Sequence, residues 1–151
     1  YFEIHPLTLL GGSSIGDLSV FDAFAYTDAK YVAGEFEGNR VEYAPEFVNR
    51  VGLAYARGAL SGAFQVSSVS EQFGDANNTI GGSDANVGLV PAYAVLDLTA
   101  RARLGRRFSL GGGVNNLADK HYFTKRTDEY PGPGIIPSPG RSVYLTLGAD
   151  F

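Results

Sequence analysis

The final ten residues, Ser142-Val-Tyr-Leu-Thr-Leu-Gly-Ala-Asp-Phe151, carry the most regular pattern in the chain. Val143, Leu145 and Leu147 alternate with polar or small residues, which is the period-two pattern of a β-strand with one apolar face. The pattern runs up to an aromatic C-terminal residue. Closing strands of outer-membrane barrels have this form, because their apolar face meets lipid and their aromatic ends lie in the interfacial girdle. A strand of a soluble antiparallel sheet is the alternative.

Composition limits the classes of protein that fit. The 151 residues contain no apolar run of the roughly 18 residues that a membrane helix needs. A membrane protein of this composition is therefore a barrel, because only helices and closed barrels satisfy their backbone groups in lipid. The 20 glycines and 13% aromatic residues suit short strands joined by turns. A net charge of −4 argues against nucleic acid as a partner, and the lack of cysteine excludes disulfides.

Alternation along the chain predicts about seven strands and an all-β, antiparallel fold. In the clearest strand, Leu96, Leu98, Ala100, Ala102 and Leu104 alternate with Asp97, Thr99, Arg101 and Arg103. The second strand is ambiguous, and Asp22 and Asp28 there predict that Val20, Phe24 and Tyr26 share the polar face. The predicted strands lie near 1–10, 17–33, 41–57, 59–72, 89–104, 107–124 and 140–151.

The connections between these strands differ in length. Tight turns are predicted at 57–59 and 105–106, a short one at 11–16, and long polar loops near 33–41, 72–90 and 125–139. Short periplasmic turns and long extracellular loops are typical of outer-membrane barrels. Arginines on the polar faces, such as Arg50 and Arg101, fit a wet lumen better than a dry core.

Seven strands do not close a bacterial barrel, since these barrels have even strand numbers from about eight upward. The stretch Tyr1–His5 also reads as the middle of a strand. We therefore expect a transmembrane β-barrel segment that forms the C-terminal part of a larger barrel.

Four motifs in the family's order, together with one stretch typical of a branch of that family, give the sequence a family resemblance. Val114-Asn-Asn-Leu-Ala-Asp-Lys-His-Tyr122 resembles the penultimate-strand signature of TonB-dependent outer-membrane receptors. The stretch Thr127-Asp-Glu-Tyr-Pro-Gly-Pro-Gly-Ile-Ile-Pro137 is similar to the ferric-dicitrate and siderophore branch of that family. Residues 41–46, 89–97 and 141–144 resemble further landmarks of the family, so the resemblance covers essentially the whole chain.

The resemblance implies a barrel of about 22 strands with an N-terminal plug and a TonB box. Residues 1–151 would be its C-terminal portion, without the plug and the N-terminal strands. The parent would import an iron chelate of the ferric-citrate or siderophore type across the outer membrane of a Gram-negative-type bacterium, and would not be an enzyme. Its implied partners are outer-membrane lipid, the chelate, TonB and the barrel-assembly machinery, which would recognise Tyr144, Leu145, Leu147 and Phe151 in the last strand.

Three cations are the candidate ligand-binding residues. Arg40, Lys125 and Arg126 lie at the outer ends of strands or in long loops, where clustered positive charge would attract an anionic chelate. Alternatively, these cations pair with acids of the same loops, namely Glu35, Glu37, Glu42, Asp128 and Glu129.

Other motifs predict no cofactor, metal or catalytic site. The glycine run at 111–116 lacks the following Lys-Ser/Thr of a phosphate-binding loop and fits a curved strand. His5 and His121 lie far apart, and 75–84 lacks the EF-hand spacing, which favours a plain solvated loop. Two further functions stay open: a small autonomous outer-membrane barrel acting as a porin or adhesin, and a soluble all-β binding module.

Overall fold

A computed structural model describes residues 1–9, 11, 13–82, 85–130 and 132–150. Seven strands form one sheet, and across the sheet they lie in this order: β1 Phe2–Ile4, β2 Asp17–Tyr26, β3 Phe47–Arg57, β4 Leu60–Val69, β7 Tyr93–Leu104, β8 Phe108–Asn115 and β11 Ser142–Ala149. Each strand is antiparallel to its neighbours. The predicted all-β, antiparallel architecture is therefore confirmed, and the sheet is open, with β1 and β11 as its edges.

The register divides the sheet into two faces. Leu98 pairs with Phe64 on one side and with Val114 on the other, and this row is apolar in all seven strands. Directly paired residues lie on the same face, so these side chains define the apolar face: Ile4, Val20, Leu53, Phe64, Leu98, Val114 and Val143. The next row lies on the other face, here called the polar face, and this row contains small or polar residues and one aromatic: Ser19, Ala54, Ala63, Thr99, Gly113 and Tyr144. The predicted division of β7 into two faces is confirmed.

The prediction for the faces of β2 was wrong. Val20 pairs with Leu53 and Tyr26 pairs with Phe47, which places Val20, Phe24 and Tyr26 on the apolar face. The prediction assumed that Asp22 marks the polar face, but Asp22 lies on that same apolar face. At the outer end of this face the ring of Phe47 lies 5.2 Å from Tyr26 and 5.9 Å from Phe24, an aromatic cluster of the kind that marks membrane interfaces.

Several predicted strands were too long. The first ends at Ile4, because Pro6 begins a four-residue helix, α1 (Pro6–Leu9). The second ends at Tyr26 and the third begins only at Phe47. The sixth ends at Asn115, because Asn116 adopts a left-handed backbone with φ 51° that cannot continue a strand.

Two of the predicted polar loops contain strands of their own. In the first, β5 (Gln72–Phe73) pairs with β6 (Leu89–Val90), and in the second, β9 (Phe123–Thr127) pairs with β10 (Gly134–Pro137). Within the described part of the chain, Val90 is the one buried apolar side chain, with 0% exposure. These segments are folded rather than simply solvated.

The ends of the sheet differ as the sequence predicted. Gly58-Ala59 and the turn at 105–107 join strands at one end, with Gly58 and Gly105 supplying the positive φ. The long connections 27–46, 70–92 and 116–141, here called loops A, B and C, all leave the opposite end because the strands are antiparallel. A 3₁₀ turn at Ser13–Ile15 follows α1, and no helix in the described ranges has the length and apolarity to cross a membrane.

Candidate functional site: the outer loop layer

Loops A, B and C meet above the sheet and form what we call the outer loop layer. Tyr43 of loop A contacts both of the other loops. Its backbone N–H donates to the carbonyl of Phe73 at 2.9 Å, and its hydroxyl donates to the carbonyl of Arg126 at 3.0 Å. A single residue therefore links all three loops.

Arg40, a predicted ligand contact, lies between loops A and B. Asn78, with φ 57°, accepts from the Arg40 N–H and donates to the Arg40 carbonyl, both at 2.7 Å. The Arg40 side chain is only 20% exposed, lies 5.5 Å from the ring centroid of Phe73 and reaches Glu46 at 3.6 Å. Its position therefore combines a cation–π contact with a partly buried ion pair.

Asp75 organises loop B. Its carboxylate accepts hydrogen bonds from the N–H of Gly88 at 3.0 Å, from the hydroxyl of Thr79 at 2.9 Å and from the N–H groups of Thr79 and Asn77. Partial burial acts to raise the pKa of Asp75, but these hydrogen bonds outweigh it and lower that pKa. The carboxylate thus shapes a turn, and no metal-binding cluster occurs among the described residues. Asp84, in the same predicted segment, lies outside them.

Arg126, the second predicted contact, is half-buried in β9 and points its guanidinium at loop B. Nε and Nη2 donate to the carbonyl of Leu89 at 3.3 and 3.0 Å, and Nη1 donates to the carbonyl of Ala85 at 2.8 Å. The guanidinium also lies 5.2 Å from the ring centroid of Phe123. Lys125, the third predicted contact, is exposed and makes no salt bridge within the part of the chain that the structure describes.

The structure thus brings the three cations into one layer but gives them different surroundings. Of the acids expected to compete for them, Glu42 instead accepts a hydrogen bond from the hydroxyl of Tyr31 at 2.7 Å. The ion pair between Arg40 and Glu46 is the one that these cations form in the described ranges.

The Val114–Tyr122 motif has a structural role in this layer. Asn116, 3% exposed, donates to the carbonyls of Lys120 and Pro139 at 2.9 and 3.3 Å and accepts from the Lys120 N–H at 2.8 Å. Its backbone N–H donates to Asp97 on β7 at 2.9 Å. The motif therefore fixes the path of loop C as it leaves β8.

Asp119 extends this anchoring to the start of β11. It accepts a hydrogen bond from the backbone N–H of Arg141 at 2.8 Å and lies 3.6 Å from the Arg141 guanidinium. The backbone hydrogen bond is the main reason that the pKa of Asp119 lies below its ordinary value, and the Arg141 charge adds to it.

Below the loops, the polar face lines an open cavity of about 720 Å³. Its wall includes the exposed Arg50 on β3 and a stacked pair, Tyr93 and Tyr122, whose ring centroids are 4.4 Å apart. Sequence reasoning did not single out this tyrosine pair, although both residues lie in motifs that carried the resemblance. Such a wall offers aromatic surface and one cation to a molecule held beneath the loops.

Three of the four predicted assembly residues, Tyr144, Leu145 and Leu147, lie on β11. Leu145 and Leu147 are 77% and 73% exposed on the apolar face, whereas Tyr144 lies on the polar face over Gly113. Phe151 lies outside the described residues.

Comparison with known proteins identifies the family. Residues 7–117 match the family model described as TonB dependent receptor-like, beta-barrel. The chain belongs to the TonB-dependent receptor family. Members of this family are β-barrel transport receptors of the Gram-negative outer membrane, not enzymes, as the sequence predicted.

Individual TonB-dependent receptors resemble this chain in sequence and in structure. The metal-pseudopaline receptor CntO of Pseudomonas aeruginosa is 30% identical over 148 residues, which cover 93% of this chain and 19% of CntO. The unliganded ferric citrate transporter FecA matches with a TM-score of 0.85 and 25% identity, over 97% of this chain and 22% of FecA. The siderophore receptor PiuA from Acinetobacter baumannii shares the fold, with a TM-score of 0.70, 21% identity, and coverage of 87% of this chain and 19% of PiuA. The chain thus spans about a fifth of the length of these receptors.

Proposed function

We propose that residues 1–151 form the C-terminal wall of a TonB-dependent receptor that takes up a metal chelate across the outer membrane. The observation that carries the proposal is the match to FecA over 97% of the chain at a TM-score of 0.85. The relatives carry names of receptors for ferric citrate, metal-pseudopaline and siderophores. All three names describe chelated metals, and we propose an iron chelate of the ferric-citrate or siderophore type as the cargo.

In this proposal the apolar face meets outer-membrane lipid and the polar face lines the lumen. An open seven-stranded sheet whose apolar side chains are exposed, such as Leu53 at 47% and Leu145 at 77%, needs lipid and further strands to cover it. This favours a portion of a larger barrel over an autonomous porin or adhesin. It also disfavours a soluble binding module, whose sheet would bury one face against a core. In such a receptor the plug and the contact with TonB would lie outside residues 1–151.

We further propose that Arg40, Lys125 and Arg126 contribute to the binding of an anionic chelate in two ways. Lys125 is exposed, so its ammonium can contact a carboxylate directly. Arg40 and Arg126 have donors engaged in loop contacts, and their charges add to the positive potential that draws an anion toward the layer.

Uptake by the full-length parent tests the function. The parent is expressed in a Gram-negative strain that lacks its own ferric citrate receptor, with and without TonB, and uptake of radiolabelled ferric citrate and of ferric siderophores is measured. We expect TonB-dependent uptake of at least one chelate, and a several-fold higher half-saturating concentration for Lys125→Gln when that chelate is anionic. Absence of uptake for every chelate, at normal surface levels of the receptor, would contradict the proposal.

The last strand is proposed as the signal for the barrel-assembly machinery, through Tyr144, Leu145, Leu147 and Phe151. An edge strand with unpaired backbone groups can be captured by strand pairing, with its side chains supplying specificity. Deletion of Phe151 in the full-length parent should lower surface levels more than transport per assembled molecule. Accessibility of an epitope inserted at 128–130 measures those levels, and normal surface levels after the deletion would contradict this role.

A further inference from the structure

The three outer loops meet at Gly74, where the backbone leaves no room for a side chain. A Cβ atom at this position would lie 2.8 Å from the carbonyl oxygen of Gly88, 3.1 Å from Cδ of Arg126 and 3.5 Å from the hydroxyl of Tyr43. These neighbours belong to loops B, C and A respectively. The loops are therefore in direct contact rather than merely close.

Arg126 makes several hydrogen bonds at this junction. Its guanidinium donates three hydrogen bonds to two carbonyls of loop B, at Ala85 and Leu89, and its own carbonyl accepts from Tyr43 of loop A. The planar guanidinium presents its donors in a fixed fork, and hydrogen bonds from a charged donor are stronger than neutral ones. A lysine at this position would have a compact ammonium in place of the fork.

A small core lies under these connections. Val90 is fully buried in the layer and Gln72 is 7% exposed, with its amide donating to the carbonyl of Thr124 in loop C at 3.4 Å. If the loops separated, this core would be exposed and the hydrogen bonds between the loops would break in the same event. The three loops are therefore expected to open cooperatively.

We propose that Arg126 is a positioning residue whose hydrogen bonds hold loops A, B and C together, a role here called fastening, so that the outer loop layer responds to a chelate as a unit. The consequence for uptake rests on the proposed function, but the fastening itself does not. Arg126 acts through loop B, and it holds Lys125, its neighbour on β9, in a fixed place relative to loops A and B.

Amide hydrogen exchange of the full-length receptor in detergent, without chelate, tests the fastening. The reporters are the amides of Gly88 and Leu89 in loop B and of Tyr43 in loop A, which donate to Asp75, Ile80 and Phe73. We expect Arg126→Gln and Arg126→Lys to accelerate exchange at these amides by about tenfold or more, because neither side chain presents the rigid planar fork that makes three hydrogen bonds to the two carbonyls. Lys125→Gln, which removes the neighbouring charge, is the matched control and should change exchange by less than about twofold.

Unchanged exchange at the reporters in Arg126→Gln, or equal acceleration in Lys125→Gln, would overturn the proposal. If Arg126→Gln does not assemble, Tyr43→Phe takes its place, since it deletes only the hydroxyl that donates to Arg126. Faster exchange at Gly74 and Tyr43 in that variant supports the fastening, and unchanged exchange overturns it.

Uptake of ferric citrate separates positioning from charge. Arg126→Lys keeps the charge, so a rise of several-fold in its half-saturating concentration with an unchanged maximal rate is expected from lost positioning. A wild-type concentration dependence in Arg126→Lys, alongside faster exchange, would overturn the positioning role while leaving the fastening in place. If the unmutated receptor takes up a ferric siderophore but no ferric citrate, the same comparison is made with that siderophore. Absence of uptake of every chelate would count against the proposed function and not against the fastening.

Discussion

At the scale of single residues, the polar face is shaped by glycines that aromatic rings cover. Phe21 lies directly over Gly52, its partner on β3, and the hydroxyl of Tyr144 lies 2.7 Å from the position that a Cβ of Gly113 would take. A ring over a cross-strand glycine fills the space that the missing side chain leaves and protects the backbone there. At these two positions a side chain larger than hydrogen would meet the ring of the cross-strand partner.

Gly52→Ala should destabilise the barrel. The added methyl group would collide with the ring of Phe21 and lie 2.7 Å from the backbone carbonyl of Phe64, which cannot rotate away. Overpacking of this kind costs about 1–3 kcal/mol, measured as a lower unfolding midpoint in urea for the full-length receptor. Gly111→Ala is the matched control, because its methyl group would meet only ordinary contacts at 3.6 Å and beyond. Equal midpoints for the two variants would contradict this packing.

Acid should loosen the anchoring of loop C to β11. Because folding lowers the pKa of Asp119, its carboxylate stabilises the fold above the ordinary aspartate pKa, and that contribution is lost as the pH falls through the lowered value. Exchange at the Arg141 amide, corrected for intrinsic rates, should therefore rise as the pH drops below about 4. Asp119→Asn should abolish this pH dependence, and its persistence in the variant would contradict the assignment.

At the scale of the elements, the alternation in β7 and β11 was sufficient to predict the sheet. Every second residue is apolar from Leu96 to Leu104 in β7 and from Val143 to Leu147 in β11. The strands pair in the register that places these apolar residues on one face. In β2 the alternation did not predict the faces correctly, because the polar residue Asp22 lies on the apolar face.

The outer loop layer could be predicted only in part, because its structure depends on contacts distant in sequence. The positions of Arg40, Lys125 and Arg126 at the outer end followed from strand order. The bonds of Arg126 to Ala85 and Leu89 join residues about 40 positions apart, and no local pattern marks them. The same is true of Val90, whose burial comes from the packing of two short ladders.

Arginine substitutions on β7 should distinguish its two faces. Leu98→Arg should cost about 2–4 kcal/mol if Leu98 lies near the membrane midplane, because its row on the apolar face meets lipid. Thr99→Arg, one residue on, points to the lumen and should cost little. Urea unfolding of the full-length receptor in lipid vesicles measures both, and equal costs would remove the assignment of the faces.

At the scale of the whole molecule, the open sheet has two edges with unpaired backbone groups, β1 and β11. Exposed edges invite pairing with other strands. Residues 1–151 expressed alone should therefore aggregate or pair with added strands instead of forming a closed monomeric barrel. A heat-modifiable, protease-resistant monomer in detergent would contradict this expectation.

The most direct measurement is a spin-label scan of 95–104 in the full-length receptor reconstituted in lipid bilayers. Single labels report accessibility to oxygen, which concentrates in lipid, and to a water-soluble nickel complex. If this chain is a wall of an outer-membrane barrel, oxygen accessibility peaks at 96, 98, 100, 102 and 104 and falls at the residues between them. A flat profile, or peaks at Asp97, Thr99, Arg101 and Arg103, would contradict that assignment.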